Sequence, residues 1–301
     1  MTTERELRKR ISSVKNIMQV TAALAAVSTS KMQRAQRQVE ATRTYAAKAF
    51  EILNNLASQP SAAEAAHPLL TTRSEIKNTG LVVITSDRGL AGAYNANVVA
   101  AVEKFAQALN TPLQVISVGR KGRDLLIRRR YNVVASFDNL PDPPSILDTN
   151  PIAQVVVDDY LEGKYDVVFI AYTDFINIVT RHPTVRQLLP LKPLDMEGMA
   201  MSEIVDAVDL SGVSERVYDY EPDPEALLNT IVPRFTDLQL YQSILEALAS
   251  EHSARMVAMQ NATDNADVLI DELTLQRNKA RQATITNEIL DIVGGAEALE
   301  K

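Results

Sequence analysis

The 301-residue sequence has no cysteine and no tryptophan, and aromatic residues make up only 5% of it. Without cysteine there is no disulfide framework, thiolate metal site, thiol catalysis or thiol redox control, which suits a reducing compartment. Few aromatics, with alanine abundant near both ends, favour helices packed closely through small side chains. The histidines, His67, His182 and His252, are scattered. No apolar run is long enough to cross a bilayer, and the start MTTERELRKR mixes acids with bases and has no apolar stretch. Neither a transmembrane span, a signal peptide nor an acid-poor transit peptide is expected.

Glycine and proline are missing in a pattern. Neither occurs before Pro60 and neither occurs from Arg234 through Val293, whereas both recur between these limits. Fully helical, each uninterrupted end would run about 85–90 Å at ~1.5 Å per residue. Only a partner helix can bury such a length. Alternate steps of four and three from Leu7 give Ile11, Val14, Met18, Thr21, Ala25, Ser28, Met32, Ala35, Val39, Thr42, Ala46, Ala49, Leu53 and Leu56. Apart from three small hydroxyl residues, every one is apolar, the 3.5-residue period of a left-handed coiled coil. The C-terminal end repeats the step with more polar members: Leu245, Leu248, His252, Arg255, Met259, Ala262, Ala266, Leu269, Leu273, Gln276, Ala280, Ala283, Asn287 and Leu290. The two ends can pair antiparallel within one chain, and a homodimeric coil satisfies the same pattern.

The middle is punctuated. LVVITS from Leu81 reads as a buried strand, followed by the turn DRGLAG and a helix over 93–109. Then come strand PLQVISVG, helix RKGRDLLIRRR, strand NVVASF, a helix over about 152–161 and strand DVVFIAY. Strands alternating with helices predict a largely parallel, doubly wound sheet. Residues 175–191 predict an edge hairpin in which Pro183 fits only near the turn. VYDYEP predicts a last strand, Asp223 an N-cap and Pro224 a first-turn proline, with the unbroken coil beginning just after Pro233. The fold class is thus α/β: a long antiparallel two-helix coiled coil formed by both termini, with an inserted doubly wound, Rossmann-like domain. The expected division is 1–58 and 224–301 for the coil, 59–74 for a connector and 75–220 for the insert.

The net charge of −7 is uneven: residues 1–58 carry ten Lys/Arg against four Asp/Glu, and 138–225 carry five against eighteen, so different partners at different places are expected. Little of this reads as chemistry. TSDRGLAG lies where α/β proteins bind phosphate, yet it matches neither dinucleotide-binding nor P-loop patterns. Gly89 and Gly92 read as permitting a tight turn and close helix packing. The basic run from Arg120 to Arg130 lacks interleaved aromatics, so a solvated helix face is expected rather than a nucleic-acid site. Asp158 and Asp159 point about 100° apart on a helix and make a poor metal or acid/base pair. His252 on the seam reads as packed or register-setting.

Four blocks carry a family likeness: RKRISSVKNIMQVTAALAAVSTSKMQRAQ, ITSDRGLAGAYNANV, ASEHSARMVAMQNATDNA and NKARQATITNEILDIVGGAEAL. In order and spacing the chain resembles, end to end, the γ subunits of bacterial F-type ATP synthases. The resemblance implies a rotary central stalk of the F1 sector, its helix pair inside a ring of three α and three β subunits. It implies a globular domain beside the ε subunit on the membrane c ring, one copy per complex, at the cytoplasmic face of the inner membrane. No bound cofactor, metal or catalytic residue is implied, and no nucleic acid. Positions matching rotor contacts with β are Arg255, Gln282, Thr286 and Glu288; the seam would rest on Leu7, Ile11, Val14, Met18, Met259, Leu269, Leu273 and Leu290. The chain departs from the family pattern at Ala22 and Ala25, where a Lys and a Glu are usual, and at Leu24, where a Met is usual. It has no chloroplast-type cysteine insert.

Overall fold

A computed structural model describes residues 3–57, 67–178, 180–191 and 224–299. The elements are α1 (Glu4–Ala57), β1 (Thr79–Ile84), α2 (Tyr94–Ala108), β2 (Leu113–Val118), α3 (Arg120–Arg128), β3 (Asn132–Phe137), α4 (Ile146–Leu161), β4 (Val167–Phe175), β5 (Arg181–Leu189) and α5 (Pro224–Leu299). By packing, the chain forms two compact units, residues 29–254 and residues 1–28 with 255–301.

In the larger unit one sheet has the order β3-β2-β1-β4-β5, its first four strands parallel and β5 antiparallel at one edge. The β1 run TGLVVI is buried throughout because both faces are covered. Leu81 and Val83 point to one side, where Val98, Val99 and Val102 of α2 and Leu126 of α3 meet them. Val82 and Ile84 point to the other, where Ile152 and Val156 of α4 are joined by Ala46, Phe50 and Leu53 of α1 and Leu228, Val232 and Phe235 of α5. The two long helices are therefore part of this core. Leu53, fully buried there, contributes about 1.5–3 kcal/mol relative to exposure.

Within this unit α1 and α5 run antiparallel: Phe50 lies 6.1 Å from Phe235, Thr42 Oγ1 donates to Gln242 Oε1 at 2.5 Å, and Val39 packs with Tyr241 and Leu245. Residues leading into β1 are held by Arg73, which pairs with Asp166 at 2.8 Å, donates to the Tyr160 carbonyl at 2.7 Å and lies 5.0 Å above the Tyr160 ring. Asp166 also accepts the Lys77 and Asn78 amides at 2.8 and 2.9 Å.

In the smaller unit Leu7, Ile11, Ile270 and Leu273 form a cluster with Val14, Met18 and Ala280, and Thr21 Oγ1 meets Thr263 Oγ1 at 2.7 Å. The partners ascend on α1 as they descend on α5, so this pairing is also antiparallel. Met259 is buried. Two expected seam residues lie elsewhere: Leu269 is 42% exposed and Leu290 62%. The apolar triplet Val268, Leu269, Ile270 leaves the seam phase ambiguous in sequence, and packing selects Ile270. Leu290 lies past the reach of α1, whose start at Glu4 stands near the level of Ala280.

Three further expectations change. Helix α4 begins at Ile146, upstream of Pro151, because the Asp148 carboxylate accepts the Ser145 amide at 2.7 Å and its hydroxyl at 2.6 Å, starting the helix before the proline. Helix α5 passes through Pro233, the lost hydrogen bond being offset by burial of Leu228, Val232, Phe235 and Leu238 around it. Pro183 sits inside β5, opposite Thr173, which an edge strand tolerates. The VYDYEP strand, Asp223 and residues 59–66 of the connector lie outside the described residues.

Candidate functional site

In doubly wound sheets ligands bind beyond the carboxyl ends of the strands, where neighbouring crossovers diverge. Here that place lies between β1 and β4, beside the turn starting at Ser86. Helix α5 lies across it, and the turn is tied to neighbouring elements. On the neighbouring β2–β3 side, the Asp87 carboxylate accepts the Arg120 amide at the start of α3 at 3.0 Å and the Asn139 amide at 2.9 Å, an internal anion at that helix N-terminus. Thr85 Oγ1 accepts the Gly122 amide at 2.9 Å. A Cβ on Gly122 would stand 2.3 Å from that hydroxyl, and one on Gly119, whose φ is +95°, would stand 2.2 Å from the Thr85 carbonyl. The glycines this turn needs for close approach are thus on α3 and just before it. Gly92 has a left-handed φ of 56°, but a Cβ on Gly89 would meet only Lys121 Cε at 3.9 Å.

Helix α5 closes the crevice from above. The Tyr94 hydroxyl donates to the Ala247 carbonyl at 3.1 Å, and Ser250 Oγ donates to the Thr173 carbonyl at 3.0 Å. Pro183, paired with Thr173, brings no N–H to that ladder position. Ala91, Tyr94 and Ala254 are buried together at the same end. Among the described residues no group of three or more His, Asp or Glu is placed to hold a metal ion. The basic run is engaged internally as well: Arg123 pairs with Asp124 and Asp138, and Arg129 with Glu103.

The exposed candidate surface lies at the far end of α5. Residues 281–293 are exposed without a break, about 20 Å of helix at ~1.5 Å per residue. They include Ile285, Ile289, Leu290, Ile292 and Val293, each at least 47% exposed, with Arg281, Glu288 and Asp291 as the only charges. Gln282, Thr286, Ile289 and Val293 share one face at spacings of four, three and four. Thr286 Oγ1 donates to the Gln282 carbonyl at 2.9 Å, which leaves its oxygen free to accept from outside. Glu288 points about 120° away from Gln282, on the side of Ile285 and Ile292. Arg255 stands about 40 Å back along the helix at ~1.5 Å per residue and is half-buried. The structure brings Gln282 and Thr286 together, sets Glu288 on a neighbouring flank and separates Arg255 from all three.

The family model described as ATP synthase matches residues 3–299. The chain is 43% identical over 302 residues to the ATP synthase gamma chain of Roseiflexus castenholzii, covering 99% of each. It belongs to the ATP synthase gamma chain family. Another gamma chain, from Dehalococcoides mccartyi, is 44% identical over 295 residues and 98% of each chain. Among solved structures, the central stalk and c-ring structure of Tetrahymena thermophila mitochondrial ATP synthase has a chain 26% identical, with TM-score 0.61, covering 81% of this chain and 99% of that one. A chain of the Euglena gracilis mitochondrial ATP synthase OSCP/F1/c-ring structure, 20% identical with TM-score 0.66 over 98% of this chain and 94% of that one, shares the fold.

As a gamma chain it is a subunit of ATP synthase, and its departures from the family pattern can be placed. Ala25 is 6% exposed on the seam, Ala22 is exposed and Leu24 is half-buried. A glutamate at position 25 would be buried in the gamma chain's own helix pair. Sequence reasoning missed two polar ties of α5, Ser250 to the Thr173 carbonyl of β4 and Tyr241 to the Pro144 carbonyl of the loop before α4, because a buried Ser or Tyr on a long helix has no spacing signal. It also missed Asp142. The signal available was His252 on the seam, a polar side chain in an apolar position that needs a partner.

Proposed function

We propose that this chain is the rotating central stalk of the F1 sector of a proton-translocating ATP synthase and carries no catalytic site of its own. Proton flow turns a membrane c ring and the stalk turns with it. The asymmetric helix pair drives each β-subunit site in turn through binding of ADP and phosphate, formation of ATP and its release. The observation that carries this reading is the end of α5, a helix that outruns its partner and leaves Ile285, Ile289, Leu290, Ile292 and Val293 exposed in a chain of the gamma family. Exposed apolar side chains with few charges make many weak, non-directional contacts, which suits a surface that must turn inside a sleeve.

In this reading residues 1–58 and 224–301 are the shaft and 75–220 the inserted head. The helix pair sits in a ring of three α and three β subunits, and the head meets the ε subunit and the c ring at the cytoplasmic face of the inner membrane. Gln282 and Thr286 supply hydrogen bonds to passing β loops, Glu288 an ion pair and Arg255 a second grip nearer the head. The crevice is crossed by α5, bonded through Tyr94 and Ser250, and the start of α3 is already held by the Asp87 carboxylate, which supports the absence of a nucleotide site. No helix among the described residues is long and apolar enough to cross a membrane, so attachment runs through the partner subunits.

Coexpression with α and β subunits tests the assignment. Native mass spectrometry is expected to give three α and three β with one copy of this chain, and a bead on the head should turn under ATP. A two-to-two assembly, or a ring that leaves the chain out, refutes it. Removing Gln282 and Thr286 together by alanine is expected to lower ATP hydrolysis by the assembled complex without changing the chain's own stability. Micromolar saturable ATP binding by the isolated chain would refute the absence of a site.

A further inference from the structure

The loop of residues 138–145, between β3 and α4, is tied to both long helices and to the sheet. The Asp142 carboxylate accepts from the Lys31 ammonium of α1 at 2.6 Å and meets His252 Nε2 of α5 at 3.2 and 3.3 Å. An ionised carboxylate only accepts, so Nε2 carries the proton of this bond. Two residues on, the Pro144 carbonyl accepts the Tyr241 hydroxyl of α5 at 3.3 Å. At its other end the loop is anchored to the sheet domain, Asp138 pairing with Arg123 of α3 and the Asn139 amide donating to Asp87 at 2.9 Å. His252 is 4% exposed, the Asp142 side chain 27% and the Lys31 side chain 38%, so the His252 side of the cluster is shielded from water and the Lys31 side faces it. Burial works against ionisation of Asp142, but the hydrogen bonds from His252 and Lys31 outweigh it and hold the carboxyl well below the usual carboxylate range.

We propose that Asp142 is a torque-transmitting latch, a positioning residue through which the sheet domain and the antiparallel helix segments of the larger unit turn as one body; the inference rests on the rotor reading above. The rest of that junction is mostly apolar packing, which resists separation better than sliding, and neutral hydroxyl-to-carbonyl bonds from Tyr94, Tyr241 and Ser250, each weaker than a charge-assisted bond. A single carboxylate gripped by cations or N–H groups from two antiparallel helices is directional, and a twist of the sheet domain about the helix pair lengthens at least one of the two bonds. The loop is anchored behind Asp142 through Asp138 and Asn139, so the strain passes into the sheet and not into a free loop.

The test uses the assembled complex in membrane vesicles, with Lys31→Ala, Asp142→Asn and the exchanged pair Lys31→Asp with Asp142→Lys. Two quantities are read: protons pumped per ATP hydrolysed, and amide exchange at residues 139–145. The single variants are expected to speed exchange there by about tenfold. They should also pump fewer protons per ATP, and the exchanged pair, which restores the α1 bond but not the bond from His252, should recover part of both. Faster exchange with wild-type pumping per ATP would make the cluster an adhesive and overturn the latch, as would a loss that the exchanged pair leaves unrepaired. If the single variants fail to assemble, Asp142→Glu, which keeps the charge at a longer reach, is expected to assemble with partial loss, and full coupling in it also overturns the proposal. A wild-type complex that neither rotates nor pumps would instead refute the rotor reading on which the latch depends.

Discussion

Leu269 and Ile270 are neighbours of nearly equal size on α5, and the structure gives them opposite surroundings. Ile270 is 8% exposed and packs with Leu7, Ile11 and Leu273, whereas Leu269 is 42% exposed. Ile270→Ala removes three carbons from that cluster, which at ~0.8 kcal/mol per buried methylene is about 2.4 kcal/mol. A cavity term would add to this in a deep core, but a two-helix seam can close on the gap, so a total of about 2–3 kcal/mol is expected. Leu269→Ala removes a side chain that water already reaches and installs the best helix former, so its effect should stay within about 0.5 kcal/mol. Amide exchange in the full-length chain is the assay, since a local change in the smaller unit need not move the melting of the larger one. Residues 7–18 and 263–277 should lose protection by roughly 30–100-fold in Ile270→Ala and by less than about threefold in Leu269→Ala. Equal losses, or a larger loss for Leu269→Ala, would refute the seam phase and restore the alternate 3-4 stepping through Leu269.

Other perturbations have equally definite outcomes. Gly122→Ala should destabilise the chain by more than about 2 kcal/mol, because its Cβ would stand 2.3 Å from Thr85 Oγ1, while Gly89→Ala should be within about 1 kcal/mol of wild type; urea unfolding compares them. Asp166→Asn weakens the bonds from Arg73, Lys77 and Asn78 and should cost about 2 kcal/mol at neutral pH. Burial opposes ionisation of Asp166, but those donors hold its carboxyl below the ordinary value. Its stabilisation is therefore complete above an unfolded pKa of about 4 and is lost as pH falls through the lower folded value. Wild type and Asp166→Asn should accordingly converge in urea midpoint on acidification, and a constant gap down to the acid limit would refute the ionic account. Ser145→Ala should fray the first turn of α4, costing about 1 kcal/mol, seen as faster exchange at residues 146–150 with the rest of α4 unchanged.

What was legible in the sequence followed from unambiguous periods. The α1 seam from Leu7 to Leu53 needed only the 3.5-residue step, and β1 and β4 only unbroken apolar runs bounded by turns. Helix α2, expected over 93–109, runs Tyr94–Ala108. Failures occurred where two local rules competed. At Pro233 the missing N–H argues for a break, but the apolar packing around Val232 and Phe235 that offsets it depends on residues the proline rule does not consult, and the early start of α4 rests on the Asp148 contacts with Ser145. At Val268 to Ile270 three apolar residues in a row satisfied either phase, so only the partner helix could choose. Polar contacts between remote segments, such as Asp142 with Lys31 and His252, have no sequence period at all.

The crevice crossed by α5 illustrates why the fold alone was a poor guide to function. A parallel sheet with β1 between β2 and β4 has, by topology, a place for a ligand, and the turn after β1 leads directly into it. Five side chains make that place and its surroundings a structural joint. Asp87 puts a fixed negative charge at the start of α3, Tyr94 and Ser250 spend their hydroxyls on backbone carbonyls, and Ala91 and Ala254 are small enough for α5 to lie across the opening. Each of these is also a contact between the sheet and a long helix or a neighbouring loop. The strand ends that bind substrates in enzymes of this topology thus serve here to hold a helix. If the crevice is a joint, Asp87→Ala should loosen α3 and the 138–145 loop together without creating affinity for ATP. Micromolar ATP binding gained by that variant would mean that a ligand site had only been masked.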